Sequence, residues 1–368
     1  MNFKFSSEQE VLRDQVRRLT QDGLHRARIA LDTHSGLDKE LWSACVEMGL
    51  AGAAVPESQG GSALGALELC VISEELGRSL APVPLASSIL LTIEALKLGG
   101  GPLADEWLPR LARGTAIGTL ALSEGRFGSW DTPPVSTIQR QQLTGTKQPV
   151  VDATLADFAI VSARAPEDGD SYSWWLAPMG SASINSLVAI DRIRKFAVVD
   201  FDRVPAQRLS APRQGPALTA QLLNIAATLV AFEQLGGAEA MLHNTVEYAK
   251  QRRAFGSLIG VNQAVKHRLA DIYVKLQLAR GHCYYAAWAL ASDATKLPLA
   301  AAGARLAATD AFCFAAEEGL ELHGAIGFTW EHDCSLYLRR ARLLAQQLGN
   351  TMRWSDALVS SLITAGAA

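Results

Sequence analysis

The chain has 368 residues, 49% hydrophobic and 19% charged, with a formal net charge of −3. That is enough apolar material for a large core and argues against disorder. No global basic field exists to hold nucleic acid or an anionic membrane.

Cys45, Cys70, Cys283, Cys313 and Cys334 stand far apart, form no CxxC pair and are odd in number. They read as free thiols in a reducing compartment, with neither a disulfide frame nor a zinc site. The N-terminal MNFKFSSEQE lacks the apolar run of a signal peptide. The apolar stretch from Leu222 is too short to span a bilayer and runs into Glu233. A soluble cytoplasmic protein is expected.

The first region, residues 1–116, reads as helices. Ser7 and Glu10 have the spacing of a capping box, with Leu12, Val16 and Leu19 on one face. A second helix carries Leu41, Trp42, Cys45 and Val46 and stops near Gly49; a third runs from about Leu64 to Gly77. Pro82 and Pro84 precede an apolar helix from Ser87 to Leu98, and Gly99-Gly100-Gly101-Pro102 makes a turn.

Residues 117–212 change character. Short β-rich runs appear at Ile117–Leu122, Phe158–Ala163, Tyr172–Leu176 and Phe196–Phe201, and Leu143-Thr144-Gly145-Thr146 has the look of a hairpin tip. A small antiparallel β domain is expected. Residues 213–368 return to helix, with long amphipathic stretches at Leu218–Gln251, Asn262–Ser292, Leu297–Leu322 and Leu336–Leu348 that suit an up-and-down four-helix bundle. The plan is α+β, with a sheet between two helical regions.

The most informative segment is Arg252-Arg253-Ala254-Phe255-Gly256, followed by Ile259 and Asn262 to Asp271. A helix ends near Arg253, Gly256 permits a sharp turn, and a second helix begins near Asn262, which is suited to cap it. Two arginines at the turn offer planar donors for a phosphate or pyrophosphate; a helix hairpin with solvated arginines is the plainer alternative.

Tyr248, Arg252, Phe255, Gly256, Ile259, Gln263, His267 and Leu269-Ala270-Asp271 match a signature of the acyl-CoA dehydrogenases, with departures at Ala254, Leu258 and Asn262. Glu321-Leu322-His323-Gly324-Ala325-Ile326-Gly327-Phe328 resembles a glycine turn of that family, with Glu321 and Ala325 replacing a Gln and a Gly. Leu122 to Ser129 resembles a loop whose hydroxyl faces the flavin, and Ser123 keeps that hydroxyl. Gly145-x-Lys147 begins a further motif, but Pro149 and Val151 stand near where a flavin-facing Trp and Thr are usual. Met48 to Gly52, Val55-Pro56-Glu57, Gly60-Gly61 and Glu74-Glu75-Leu76-Gly77 fit the family's first helical domain.

The resemblance implies the acyl-CoA dehydrogenase fold, assembly as dimers or tetramers, and FAD at a subunit interface. Arg252 and Phe255 would hold the FAD of a neighbouring subunit, with Ser123, Gln263, Gly324 and Gly327 also against the cofactor. An acyl-CoA would be the substrate and an electron-transfer flavoprotein the onward partner. His323 reads as a turn residue, and no metal site is expected, because Glu331 and Asp333 point away from His323 and His332.

The chemistry needs a base over the thioester, normally a carboxylate. The resemblance places its two possible positions at Leu348 and Ala226, neither of which accepts a proton. Glu233, seven residues along the helix from Ala226, lies on the same face and is the candidate base. At a rise of about 10 Å it is far from the usual place, and an interhelical partner for an arginine is the alternative. The resemblance implies oxidation of an acyl-CoA thioester to the 2,3-enoyl form with FAD as hydride acceptor, by a dehydrogenase with a displaced base; the alternatives are a base-less subunit completing a partner's FAD site and a flavin monooxygenase on the same fold.

Overall fold

The computed structural model describes residues 5–125 and 129–366. The N-terminal helical region contains α1 (Ser7–Leu19), α2 (Gly23–Asp32), α3 (Lys39–Glu47) and α4 (Ala66–Ser79). A π-helical stretch, Leu85–Thr92, then runs into α5 (Ile93–Gly99), and α6 (Gly101–Ala112) follows. The capping box sits one residue earlier than the sequence suggests: Ser6 Oγ accepts from the Gln9 amide, and Gln9 Oε1 accepts from the Ser6 amide. Ser6 and Gln9 have the same spacing as Ser7 and Glu10, so the pattern alone does not separate the two registers.

The middle domain is built from β1 (Gly118–Ala121), β2 (Thr137–Gln139), β3 (Gln142–Val151), β4 (Phe158–Ala163), β5 (Ser173–Pro178), β6 (Ser183–Leu187), β7 (Phe196–Pro205) and β8 (Gln207–Arg208). One sheet has the order β1-β4-β5-β8 and the other β2-β3-β7-β6. The pairing is antiparallel except that β1 runs parallel to β4. Val161 and Trp175 of the first sheet and Leu143, Val150, Val199 and Phe201 of the second close on one apolar core. Along β7, Ala197, Val199 and Phe201 point inward by the two-residue period of a strand. The Leu143–Thr146 tetrapeptide is strand, not turn: the β2–β3 turn falls on Arg140 and Gln141, at φ 51° and 61°. Both are left-handed, as the tight turn requires, yet neither residue type announces it. Gly145 instead serves close packing, since a Cβ there would lie 2.1 Å from Ser136 Oγ.

The C-terminal helical domain holds α7 (Gly215–Gln251), a two-stranded ribbon of β9 (Arg253–Ala254) and β10 (Ser257–Leu258), α8 (Gln263–Ser292), α9 (Leu297–Leu322), α10 (Cys334–Gln346) and α11 (Thr351–Gly366). The last helix is additional to the four expected stretches. α7 and α9 are long and apolar enough to cross a membrane by length and composition, but most of each apolar window is buried inside the protein, so they are core helices.

These elements group into two compact units. One draws on residues up to His25, Ala66–Ala81 and Ala227 onward; the other on Arg26–Gly65 and Pro82–Ala226. In the first unit α4 packs directly on α7. A Cβ at Gly77 would lie 2.2 Å from Glu233 O, and one at Gly236 would lie 1.9 Å from Glu74 O. Glycine on both helices lets the backbones approach. Ser73 Oγ donates to Leu229 O at 2.7 Å across the same contact. Arginines approach the acids this crossing buries. Arg17 grips Glu75 with two hydrogen bonds of 2.8 and 3.0 Å, Arg13 reaches Glu74 at 3.4 Å, and Arg78 spans Glu75 and Glu239. In the second unit, Tyr172 Oη and Trp174 Nε1 both donate to Thr219 Oγ1 at 3.1 Å, tying β5 to the start of α7.

Candidate functional site

The first unit brings two of the sequence motifs onto one surface. α7 ends at Gln251, and the chain turns through the β9–β10 ribbon with Phe255 at φ 53° and Gly256 at φ 83°. The ribbon closes when the Ile259 amide donates to Arg252 O at 2.9 Å. This turn holds the Phe255 ring fully in solvent. An open cavity of about 630 Å³ lies beside it, lined by Tyr248, Arg252, Phe255 and Ile259 on one side and by residues 321–326 on the other. Among the described residues the Arg252 guanidinium has no hydrogen-bond or ion-pair partner. α8 starts at Gln263 after Asn262, whose side chain makes no capping bond; Gln263 is exposed at the helix N-terminus, outside the cavity lining.

The opposite wall is the short 3₁₀ turn Gly324–Phe328. Gly324 has φ 63° and open space where a Cβ would be; a Cβ on Gly327 would lie 2.4 Å from Leu320 O. The first glycine thus permits the turn and the second permits its close packing. His323 is buried beneath it. Its Nδ1 donates to Gly319 O at 2.6 Å, its ring stacks on Tyr248 at 4.3 Å, and Tyr248 Oη donates to His323 O at 3.2 Å. Burial lowers the imidazole's proton affinity. The expected turn role of His323 is thus accompanied by a packing role that joins α7 to α9. His332 and Cys334 lie close by. Sequence spacing turns Glu331 and Asp333 away from the two histidines, which is why no metal is expected there, and gives no hint of the cysteine.

An unpartnered guanidinium at the rim, an exposed ring, and a glycine turn open to the cavity suit the phosphate and ribose portion of a dinucleotide such as FAD. Glu321, also in the lining, puts a carboxylate where the glycine turn it resembles has a neutral Gln.

Ser123 belongs to the second unit and is buried. Its carbonyl accepts from the Gln148 amide at 3.0 Å. Next to it, Glu124 accepts from Lys147 Nζ at 2.6 Å, from Ser136 Oγ at 2.6 Å and from the Val135 amide at 2.6 Å. Lys147 also donates to Ser162 O at 2.6 Å. Burial pulls the Lys147 ammonium down to about 8 despite Glu124. This pair ties the Ser123 loop to β3. The rest of that motif, Arg126-Phe127-Gly128, lies outside the described residues.

The base positions are apolar and enclosed. Ala226 is fully buried in α7, and Leu348 is buried after α10 at φ 66°. Glu233 is 2% exposed, and its Oε1 accepts from Arg340 Nη1 at 2.9 Å. It makes the interhelical ion pair that is the alternative to a base. Arg305, fully buried on α9, hydrogen-bonds Gln234, the Leu344 carbonyl and, at 2.8 Å, the Gln347 carbonyl. A cation therefore caps the end of α10 just before Leu348.

Comparison with known proteins follows the same lines. Residues 6–115 match the family model for the acyl-CoA dehydrogenase N-terminal domain, and residues 213–351 match the one for its C-terminal domain. The chain belongs to the acyl-CoA dehydrogenase family, a family of flavoprotein oxidoreductases. It is 35% identical over 346 residues to acyl-CoA dehydrogenase IpdE2 of Mycobacterium tuberculosis, covering 93% of each chain. Among solved structures it resembles a variant of the Tcur3481-Tcur3483 steroid acyl-CoA dehydrogenase, with TM-score 0.88, 30% identity and coverage of 98% and 99%. It also resembles the ChsE4-ChsE5 complex of Mycobacterium tuberculosis, with TM-score 0.87, 27% identity and 99% coverage of both chains.

Proposed function

We propose that this chain is the base-less subunit of a hetero-oligomeric acyl-CoA dehydrogenase and completes the FAD site of a catalytic partner. The observation that carries this reading is the enclosure of Leu348 and Ala226, apolar at both expected base positions, with the nearby acid Glu233 held by Arg340. General base catalysis is worth ~10²–10⁴ in rate, so a chain lacking it is poorly equipped to act alone. Two of the similar structures carry paired names, Tcur3481-Tcur3483 and ChsE4-ChsE5, which supports a hetero-oligomer.

In the assembly, a carboxylate of the partner removes the α-proton of an acyl-CoA thioester. FAD, when bound, would supply the hydride acceptor. Arg252 offers planar donors to a phosphate of the dinucleotide, and Phe255 adds an apolar plate beside it. Gly324 leaves room for the cofactor at the cavity wall, while Gly327, packed against Leu320, shapes the turn from behind it. Gln263 and Ser123 are the further polar contacts that the family resemblance implies. The steroid enzyme among the similar structures supports a bulky, ring-bearing acyl group. An electron-transfer flavoprotein is the onward acceptor, and the free cysteines suit the cytoplasm.

The test is purification of the chain alone and with a paralogue that keeps the base. Flavin and acyl-CoA turnover gained only on co-purification support the reading. Turnover by the homomer that Glu233→Gln abolishes would instead make Glu233 the base. Oxygen consumption with reduced flavin would favour a monooxygenase.

A further inference from the structure

The end of α9 and the start of α10 gather three side chains to which the cofactor reading gives no contact, although His323 also lines the edge of that cavity. His323 Nδ1 donates to Gly319 O at 2.6 Å. A carbonyl only accepts, so Nδ1 carries the proton and Nε2 keeps its lone pair. The ring of His332 lies 4.7 Å from that of His323, and His332 Nδ1 accepts from the Cys334 amide at 3.3 Å. His323 therefore presents Nε2 with an open lone pair, as a metal ligand must, whereas a metal at His332 Nδ1 would take the place of the Cys334 amide hydrogen bond. Cys334 is buried and is the first residue of α10. The helix N-terminus favours a thiolate there, but burial dominates and pushes the thiol up to about 12. The sulfur thus keeps its proton until a cation displaces it. One ligand atom from each residue lies within 4.8 Å of the others.

We propose that His323, His332 and Cys334 form a binding site for a divalent ion of the zinc type. Two imidazole nitrogens and one sulfur are a borderline-soft set, and they offer none of the oxygen donors that calcium or magnesium needs. Zinc holds nitrogen at about 2.0–2.1 Å and sulfur at about 2.3 Å, so the ligand atoms draw together by about 1 Å on binding. His332, half-buried on the connection after Thr329, supplies that movement; His323 is fixed by Tyr248 and Gly319. The carbonyl end of α9 favours the incoming cation. Binding breaks the Cys334 S–H bond, forms a metal–sulfur bond and releases the proton to solvent. Three protein ligands leave a fourth position to water. This site does not depend on the flavin reading.

The test uses the full chain in metal-free, thiol-reducing buffer, with Co(II) as the probe. The expected result is one equivalent bound per chain, with a thiolate-to-cobalt charge-transfer band that disappears in Cys334→Ser. His332→Ala, at a half-buried position that the fold tolerates, weakens binding by more than the ~10–100-fold that an outer-shell partner is worth. Circular dichroism of both metal-free variants shows that the fold is kept. The proposal is overturned if the chain binds no stoichiometric Co(II), if the band survives in Cys334→Ser, or if His332→Ala binds as tightly as the parent.

Discussion

Glu233 Oε1 on α7 and Arg340 Nη1 on α10 are 2.9 Å apart, and both side chains are at most 3% exposed. An ion pair this deep gives up most of its solvation, and losing one partner strands a charge. Glu233→Ala should therefore lower unfolding stability by about 3–5 kcal/mol, read from urea denaturation. Replacing both residues with Met should recover most of that loss. If Glu233→Ala unfolds like the parent, the pair does not hold α7 to α10.

Gly77 and Gly236 predict a second effect. Alanine at either position brings a Cβ into the facing helix backbone, 2.2 Å from Glu233 O or 1.9 Å from Glu74 O. Backbone yields less easily than a side chain, so each substitution should cost at least about 1–3 kcal/mol. Gly256→Ala, in open space, is the comparison; there the cost is the positive φ alone. Urea midpoints of the three variants that coincide would contradict this account of the crossing.

Glu74 gives the molecule a pH dependence. Burial raises its carboxyl from the usual 4.5 to about 7, with Arg13 opposing. The folded state thus holds this proton more tightly than the unfolded chain does. Its contribution is fully present below about pH 4.5 and is lost as pH rises through about 7. Glu74→Gln should flatten that segment of the stability–pH curve and raise stability at pH 8 by on the order of 3 kcal/mol. An unchanged slope between pH 5 and 7 would contradict the assignment.

Much of the fold is legible in the sequence because long helices and apolar strands declare themselves by period. α9 falls on Leu297–Leu322, as expected from its pattern, and β4 on Phe158–Ala163. The β2–β3 turn is not legible, because Arg140 and Gln141 adopt left-handed conformations without a turn residue, while Gly145 nearby suggests the wrong place. α2 and α11 escape the pattern, one short and one beyond the last strong motif. At the site, motif spacing names Arg252, Phe255 and Gly324, but not that Tyr248 and His323 stack beside the cavity these three line, nor that Gly327 packs behind it. Nor does it name Arg340 as Glu233's partner, since that pairing joins helices 107 residues apart.

Arg252 and Phe255 separate function from stability. Both are exposed, so Arg252→Ala and Phe255→Ala should change unfolding stability by no more than about 0.5 kcal/mol. In the hetero-oligomer each should reduce bound flavin, Arg252→Ala more than Arg252→Lys, because a lysine cannot reproduce the planar fork. The flavin-to-protein absorbance ratio of the purified complex is the readout. Full flavin retention in Arg252→Ala would remove this residue from the cofactor site.

The most direct test of the central claim is the visible spectrum and acyl-CoA turnover of the chain purified alone and with a base-bearing paralogue. The account predicts no turnover from the chain alone, and flavin bands with turnover from the co-purified pair. A homomer that carries flavin and oxidises an acyl-CoA, with Leu348 and Ala226 in place, would contradict it.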